Sequence, residues 1–187
     1  MAVVSSGQRD RRAALREQTA TQHRRVDKSL REDAYFNSRP AYARYVAASF
    51  TARARLEAGL AEADVIPTSA YLLAPALALD LAALGHETPP MPPPAPPFTP
   101  AAAWGTLYVL QGASMGALHL RRCAAELGCA EGSGASHLAL QASRAGNWAN
   151  FLRLLNGQVF THEEEAACLA AAAAAFTCFE KSFAANV

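Results

Sequence analysis

The sequence predicts an all-α protein, on the basis of its alanine content, its helical periodicity and its lack of strand patterns. Of the 187 residues, 51% are hydrophobic, and alanine supplies much of that share. Alanine-rich periodic segments favour closely packed helices. No alternation of apolar and polar residues is long enough to indicate a strand. The chain is long enough for one sizeable core, so we expect residues 1–187 to form a single domain.

Proline, glycine and polar residues separate six predicted helices. The first spans about residues 10–33, and residues 1–9 before it are predicted to be flexible. The second begins at Asn37-Ser38-Arg39-Pro40, where Ser38 is a candidate N-cap, and continues to about residue 63. The proline-rich segment 88–100 cannot be helical and predicts an extended surface connector. The remaining helices are predicted at about residues 68–85, 104–127, 136–155 and 161–183, the last starting with a capping box.

Charge and cysteine content argue against several classes of function. The net charge of +1 gives no reason to expect binding to nucleic acid or to an anionic membrane. The longest strongly apolar run, residues 166–176, is too short to span a bilayer, and the first ten residues do not resemble a secretory signal. The four cysteines lack CxxC spacing, so no zinc site, iron–sulfur cluster or covalent heme is indicated. We therefore expect a cytoplasmic protein.

His23 lies on an apolar stripe of the first predicted helix. At about 100° per residue, five positions fall within an arc of about 80°: Leu15, Thr19, His23, Val26 and Leu30. A buried imidazole needs a partner, which is either a carbonyl group in the core or a metal. Arg16 and Asp27 lie beside the stripe, and Arg16 is two turns, or about 10 Å, before His23. This spacing suits a flat anionic ligand whose metal binds the imidazole and whose acid groups reach the guanidinium.

The fourth predicted helix contains glycines at positions where helices usually avoid them. Gly112 and Gly116 are one turn apart on one face, and Gly105 and Tyr108 lie nearly in line with them. Each interior glycine costs about 1 kcal/mol relative to alanine. Two explanations remain open. Either another helix backbone approaches closely, or a flat ligand lies against the exposed peptide groups.

Three segments resemble the heme oxygenase family, in particular the bacterial enzymes found beside bacteriophytochromes. Residues 15–27, LREQTATQHRRVD, are similar to the family's proximal helix. Residues 108–117, YVLQGASMGA, are similar to its distal helix. Residues 148–155, WANFLRLL, are a weaker match to a late helix whose basic residue contacts a heme propionate. The resemblance extends from about residue 13 to residue 183 and implies a helical bundle with heme between the first helix and the glycine-bearing helix.

The resemblance also implies roles for residues of the first and late helices. His23 is expected to be the axial ligand of the heme iron, and Asp27 is expected to accept a hydrogen bond from the other ring nitrogen. Asp27 is a shorter residue than the usual glutamate, and a solvated surface charge is the alternative. Arg16 and Arg153 are assigned to the propionates, with a surface arginine as the alternative for each. A basic cluster near the start of the chain is a candidate rim for propionates or for a docking partner: Arg9, Arg11, Arg12, Arg16, Arg24 and Arg25.

On the distal side, Gly112 and Gly116 are expected to let the backbone approach the porphyrin. Thr19 and Tyr108 are assigned to the heme-binding wall, and Ser114 to the catalytic water network. Ala113 stands where relatives have aspartate or serine, so the network would have to use Ser114, Gln111, His119 or backbone groups.

The implied activity is oxidative opening of heme to biliverdin with release of carbon monoxide and ferrous iron. Heme b is then both cofactor and substrate, and the reaction needs O2 and electrons from ferredoxin or a reductase. The implied partners are a redox donor protein and a phytochrome that accepts the bilin. The sequence does not identify the cleaved meso carbon or the oligomeric state.

Three alternatives remain at this point. The first is a non-catalytic heme- or tetrapyrrole-binding protein of the same fold. The second is a heme-free relative acting on a thiamin-like or quinone-precursor molecule, which would need converging carboxylates or a cysteine nucleophile that the sequence does not pair. The third is a helical interaction protein, which leaves His23 and the glycines without a shared purpose.

Overall fold

The structure is a computed structural model that describes residues 11–32, 34–93 and 95–185. Within these residues the chain is helical and has no strand, which confirms the all-α prediction. The predicted flexible residues 1–9, the first-helix start at residue 10 and its end at residue 33 lie outside the described residues. The α-helices are α1 (Arg11–Glu32), α2 (Arg39–Ala61), α3 (Ala74–Ala83), α4 (Pro100–Gly112), α5 (Ser114–Glu126), α6 (Ser136–Ser143), α7 (Trp148–Asn156) and α8 (His162–Ala184).

Two predicted helix starts are confirmed by their caps. The Ser38 side chain accepts a hydrogen bond of 3.3 Å from the Ala41 N–H at the start of α2. At the start of α8, the Thr161 hydroxyl accepts from the Glu164 N–H, and the Glu164 carboxylate accepts from the Thr161 N–H. Both caps satisfy backbone donors that have no partner within the helix.

The predicted continuous helix 104–127 is wrong in two respects. Helix α4 begins earlier, at Pro100 at the end of the predicted connector, because Thr99 caps it, and the chain breaks between α4 and α5 at Ala113. Side chains take the carbonyl groups that a continuous helix would use. Arg53 donates to the Leu110 carbonyl at 3.1 Å, and the Ser114 hydroxyl donates to the Gln111 carbonyl at 2.6 Å. Competing hydrogen bonds of this kind end regular helix geometry.

Two other predicted helices are also interrupted. Residues 136–155 form α6, a 3₁₀ turn at Ala145–Asn147 and α7, with Gly146 inside the turn. Residues 68–85 begin as a 3₁₀ turn, and α3 starts only at Ala74. Pro75 follows immediately and lacks an N–H, so it is suited to the first helical turn and not to a helix interior.

The hydrophobic core consists of two clusters that meet along α8. The first cluster joins α2, α3 and α6 through Tyr42, Leu77 and Leu138. The second joins α1, α4, α7 and α8, and its members include Leu15, Leu107, Leu155 and Cys168. Phe179 of α8 packs against both clusters. Because the two clusters are separate, an internal cavity can lie between them.

The segment between α3 and α4 follows α2. The Ala95 N–H donates to the Arg55 carbonyl at 3.3 Å, and the Phe98 N–H donates to the Gly59 carbonyl at 3.2 Å. The Arg55 side chain also donates to the Pro93 carbonyl at 2.9 Å. These bonds hold the described part of the proline-rich connector against one helix.

Helix α8 is the one described helix whose length and composition would allow it to cross a membrane. The prediction that residues 166–176 are too short to span a bilayer concerned only the most apolar part of this helix. In the structure, α8 contacts α1, α2 and α4. Its apolar residues therefore have neighbours within the bundle.

Helices α4 and α8 approach each other at Gly105. A Cβ atom at this position would collide with the Cys168 carbonyl group. Gly105 therefore serves close packing of helix backbones, which was one of the two explanations for the glycines. Burial also raises the pKa of the Cys168 thiol to about 12, so this cysteine behaves as a small apolar core residue.

We expect Gly105→Ala to lower the free energy of unfolding by about 1–3 kcal/mol, because the added methyl group forces α4 and α8 apart. Gly116→Ala is the matched control, since nothing lies within 4 Å of its Cβ position. That substitution should raise the free energy of unfolding by up to about 1 kcal/mol through helix propensity. Urea denaturation of the ligand-free protein measures both changes, and equal effects of the two variants would contradict this interpretation.

Candidate active site

A cavity of about 750 Å³ opens between the two core clusters. Its size is in the range of sites that enclose a small organic molecule. Helices α1, α2, α4, α5, α6 and α8 all contribute to its wall, which is mostly apolar and includes Phe176, Phe179 and Phe183. The predicted site residues that line it are Arg16, Thr19, His23, Asp27, Tyr108, Gly112 and Gly116.

His23 points its imidazole toward this cavity. Its side chain is 61% exposed, so the expectation that it is buried is wrong. The reason is that the apolar stripe of α1 lines the cavity wall there, with Val26 and Leu30 beyond His23. The His23 ring meets Phe176 of α8 edge-on, with 5.6 Å between ring centroids.

Asp27 makes a direct contact with His23. Its Oδ2 atom lies 3.0 Å from Nδ1 of the imidazole, one helical turn away. A carboxylate at this distance fixes the tautomer and the ring orientation, and it leaves Nε2 as the nitrogen that can bind a metal.

The basic residues of α1 divide into two groups. Arg12 and Arg16 are exposed and line the cavity mouth. Arg11 is buried instead, where it pairs with Glu165, donates to the Leu155 and Gln158 carbonyls, and lies over the Phe160 ring. Arg24 and Arg25 are exposed outside the wall, and Arg9 lies outside the described residues.

The glycines opposite His23 differ from Gly105. Nothing lies within 4 Å of a Cβ built on Gly116, and a Cβ on Gly112 would meet only the Trp148 ring at 3.5 Å. The Trp148 ring in turn packs on Tyr108, with 5.5 Å between centroids. These two glycines therefore expose helix backbone to the cavity, which was the second explanation.

Several predicted residues lie elsewhere. Arg153 is exposed and donates to the Asn150 side chain at 2.7 Å, and it does not line the cavity. Ser114 is buried, with its hydroxyl on the Gln111 carbonyl. Gln111 donates to the Ala70 carbonyl, and His119 Nε2 lies 3.8 Å from Cys123 Sγ beside a smaller pocket that adjoins the cavity. Thr19 does line the cavity, although its hydroxyl donates to the Leu15 carbonyl at 2.7 Å.

The polar residues at the inner end of the cavity were not among the residues predicted from the sequence. Five buried residues of α2 and α6 supply it: Tyr45, Ser49, Arg53, His137 and Gln141. A charged pair in the alanine-rich α2, Arg53 and Glu57, was the available signal, because it is spaced i to i+4.

Arg53 and Glu57 form a buried pair with an Nη1–Oε1 distance of 3.4 Å. Arg53 also donates to the Tyr71 and Leu110 carbonyls, whereas Glu57 accepts from the Leu73 and Ala74 N–H groups. Burial lowers the pKa of Arg53 and raises the pKa of Glu57, and the opposite charge of the partner offsets each shift. The pair therefore links α2 to the start of α3 and to the end of α4.

Comparison with known proteins agrees with this geometry. The sequence model of the heme oxygenase family matches residues 91–185. Heme oxygenase PigA of Pseudomonas aeruginosa is 33% identical over 195 aligned residues, which cover 98% of each chain. The chain belongs to the heme oxygenase family.

A solved structure shows the same fold. The NO- and CO-bound heme oxygenase of Neisseria meningitidis superposes with a TM-score of 0.82 at 24% identity, covering 92% of this chain and 89% of that one. This confirms the predicted fold. Membership of the heme oxygenase family, which the sequence relative shows, sets aside the interaction-protein and heme-free alternatives.

This heme oxygenase degrades heme to biliverdin, so heme is its substrate. The cavity fits a flat, largely apolar molecule with acid groups. Exposed glycine backbone faces His23, aromatic rings of α8 close one side, and arginines stand at the mouth.

Arg16→Gln is expected to weaken hemin binding about tenfold, because a charge-assisted hydrogen bond to a propionate is lost. Arg153→Gln is the matched control and should change the dissociation constant less than about twofold, as removal of an exposed charge usually does. Hemin titration followed at the Soret band measures both. A larger effect at Arg153 would place the propionates beside α7 instead.

Proposed function

We propose that this heme oxygenase binds heme b with His23 as the axial iron ligand and opens the ring with O2, releasing carbon monoxide and ferrous iron. The observation that carries this proposal is the His23 imidazole, held by Asp27, in a cavity that also has the helix backbone at Gly112 and Gly116 in its wall. Bound heme supplies the iron that activates dioxygen and the ring that is oxidised.

On the proximal side, the chain orients the imidazole. The Asp27 carboxylate accepts a hydrogen bond from the Nδ1–H group of His23, which leaves the lone pair of Nε2 to bind the iron. Phe176 restricts rotation of the ring. Thr19 and Val26 continue the same wall on either side of His23.

On the distal side, Gly112 and Gly116 let the substrate lie against helix backbone. A side chain at Gly116 would occupy open cavity space, because no protein atom fills it. Tyr108 and Trp148 flank this surface as a packed aromatic pair. The proposed site does not include Ser114 or Arg153, because neither lines the cavity.

At the mouth, Arg12 and Arg16 are proposed to bind the propionates. Both guanidinium groups are exposed, so they also present positive charge to a redox donor. Electrons are proposed to come from ferredoxin or a reductase that docks beside this rim. A phytochrome that accepts the bilin remains a proposed partner.

The whole chain is proposed to act as one cytoplasmic domain. The described helices share two core clusters that meet along α8, which supports a single unit. Neither membrane nor nucleic acid is a proposed partner, since the net charge is only +1.

The decisive experiment is hemin titration followed by aerobic addition of a reductase and ferredoxin, with catalase present. We expect the wild-type Soret band to be replaced by the spectrum of biliverdin. His23→Ala should abolish turnover, because the axial ligand is lost. His119→Ala is the matched control, since His119 does not line the cavity, and it should retain full turnover.

Two outcomes would contradict the proposal. A stable heme complex that depends on His23 but never opens would support the non-catalytic binding protein. Equal turnover by His23→Ala and the wild-type protein would show that another residue is the iron ligand.

A further inference from the structure

We propose that His137, oriented by Asp80, is a positioning residue that binds a water molecule at the inner end of the cavity and aims it toward the substrate. This inference rests on the proposed function, because it concerns the same cavity. It adds a hydrogen-bonding residue that lies on α6, far from His23 in sequence.

The geometry fixes the His137 ring. Nδ1 lies 2.7 Å from Oδ2 of Asp80, and both side chains are 1% exposed. Asp80 also accepts from the Ser136 and His137 N–H groups at 2.9 and 2.8 Å. One carboxylate of α3 thus caps the start of α6 and holds the imidazole.

These contacts determine which ring nitrogen carries the proton. Asp80 accepts three hydrogen bonds as a carboxylate, so Nδ1 has to be the donor. Burial opposes ionisation of Asp80, but its bonds to His137 and Ser136 outweigh that effect and lower its pKa. Burial also lowers the pKa of His137, even though Asp80 opposes this shift, so the ring is neutral near pH 7.

A neutral ring with its proton on Nδ1 has a lone pair on Nε2. That atom is buried and has no hydrogen-bond partner among the described residues. His137 also lines the cavity, so we infer that a donor reaches Nε2 from that side. A buried acceptor of this kind normally bonds to an ordered water molecule.

The surroundings supply further polar groups for a water molecule. Gln141 is one turn further along α6 and lines the same cavity, and Ser49 and Arg53 of α2 are also part of its wall. Tyr42 and Tyr45 pack on the His137 ring, with centroid distances of 6.5 and 6.0 Å, and prevent it from turning. A water molecule that donates one O–H to Nε2 still has its second O–H and its lone pairs available on the cavity side. Through these groups it can transfer protons that ring opening consumes.

The first test concerns the ligand-free protein and is independent of turnover. Nitrogen-15 NMR of the histidine side chains should show His137 with a proton on Nδ1 and none on Nε2 at pH 7. A proton on Nε2, or a charged ring, would overturn the proposal.

The second test compares two substitutions of His137 in the full-length protein loaded with hemin. Asn places an amide near the Nδ1 position and keeps a donor for Asp80, but it has no group at the Nε2 position. Gln places its amide near the Nε2 position and restores an acceptor there. His137→Asn should slow single-turnover ring opening about tenfold and increase the solvent deuterium isotope effect, whereas His137→Gln should recover most of the rate.

The hemin dissociation constants of both variants should remain within about threefold of the wild-type value, since His137 is not assigned to binding. Equal rates and isotope effects for wild type and His137→Asn would overturn the proposal. Failure of the proposed function has a different signature, because the wild-type protein itself would not bind or open heme.

Discussion

The contact between α4 and α8 at Gly105 is the constraint on which the site depends. The Cys168 carbonyl lies where any side chain at Gly105 would be, so the two backbones meet there. Two turns further along at Gly112, and after the break at Gly116 of α5, almost no protein atoms lie opposite the glycines. The same residue type therefore brings the helices together at one position and leaves space for the substrate at others. Phe176 and Phe179 of α8 then form the side of that space.

The break between α4 and α5 is maintained by buried charge. Arg53 takes the Leu110 carbonyl, and Glu57 neutralises Arg53 while accepting from the first N–H groups of α3. Removing one partner of such a pair leaves an uncompensated buried charge and typically costs about 3–5 kcal/mol. The segment at residues 110–116 is thus held in place by polar contacts with α2. It therefore keeps its shape without side chains packed against its glycines from the cavity.

Local sequence patterns predicted the starts of α2 and α8 and the proximity of His23 and Asp27. Ser38 and Thr161 bond to N–H groups three residues further along the chain, and Asp27 lies one turn after His23. Each of these contacts therefore lies within one short segment of sequence. The break at Ala113 and the inner wall were missed because their causes are distant in sequence. Arg53 acts on Leu110, and Asp80 acts on His137. Neither pairing can be deduced from spacing without knowing how α2, α3 and α6 pack together.

The distribution of charge around the cavity also selects the orientation of the substrate. Three arginines line the cavity. Arg12 and Arg16 lie at the mouth, and Arg53 lies at the inner end. Arg53, at the inner end, is buried, paired with Glu57 and bonded to two carbonyls, so its charge is offset and three of its five N–H donors are already used. Arg16 is exposed beside the mouth. An acid group moved to the inner end would lose its hydration and would meet Glu57 as well as Arg53. We therefore expect the propionates at the mouth, as proposed for Arg12 and Arg16, with the opposite edge of the heme toward the inner wall and His137.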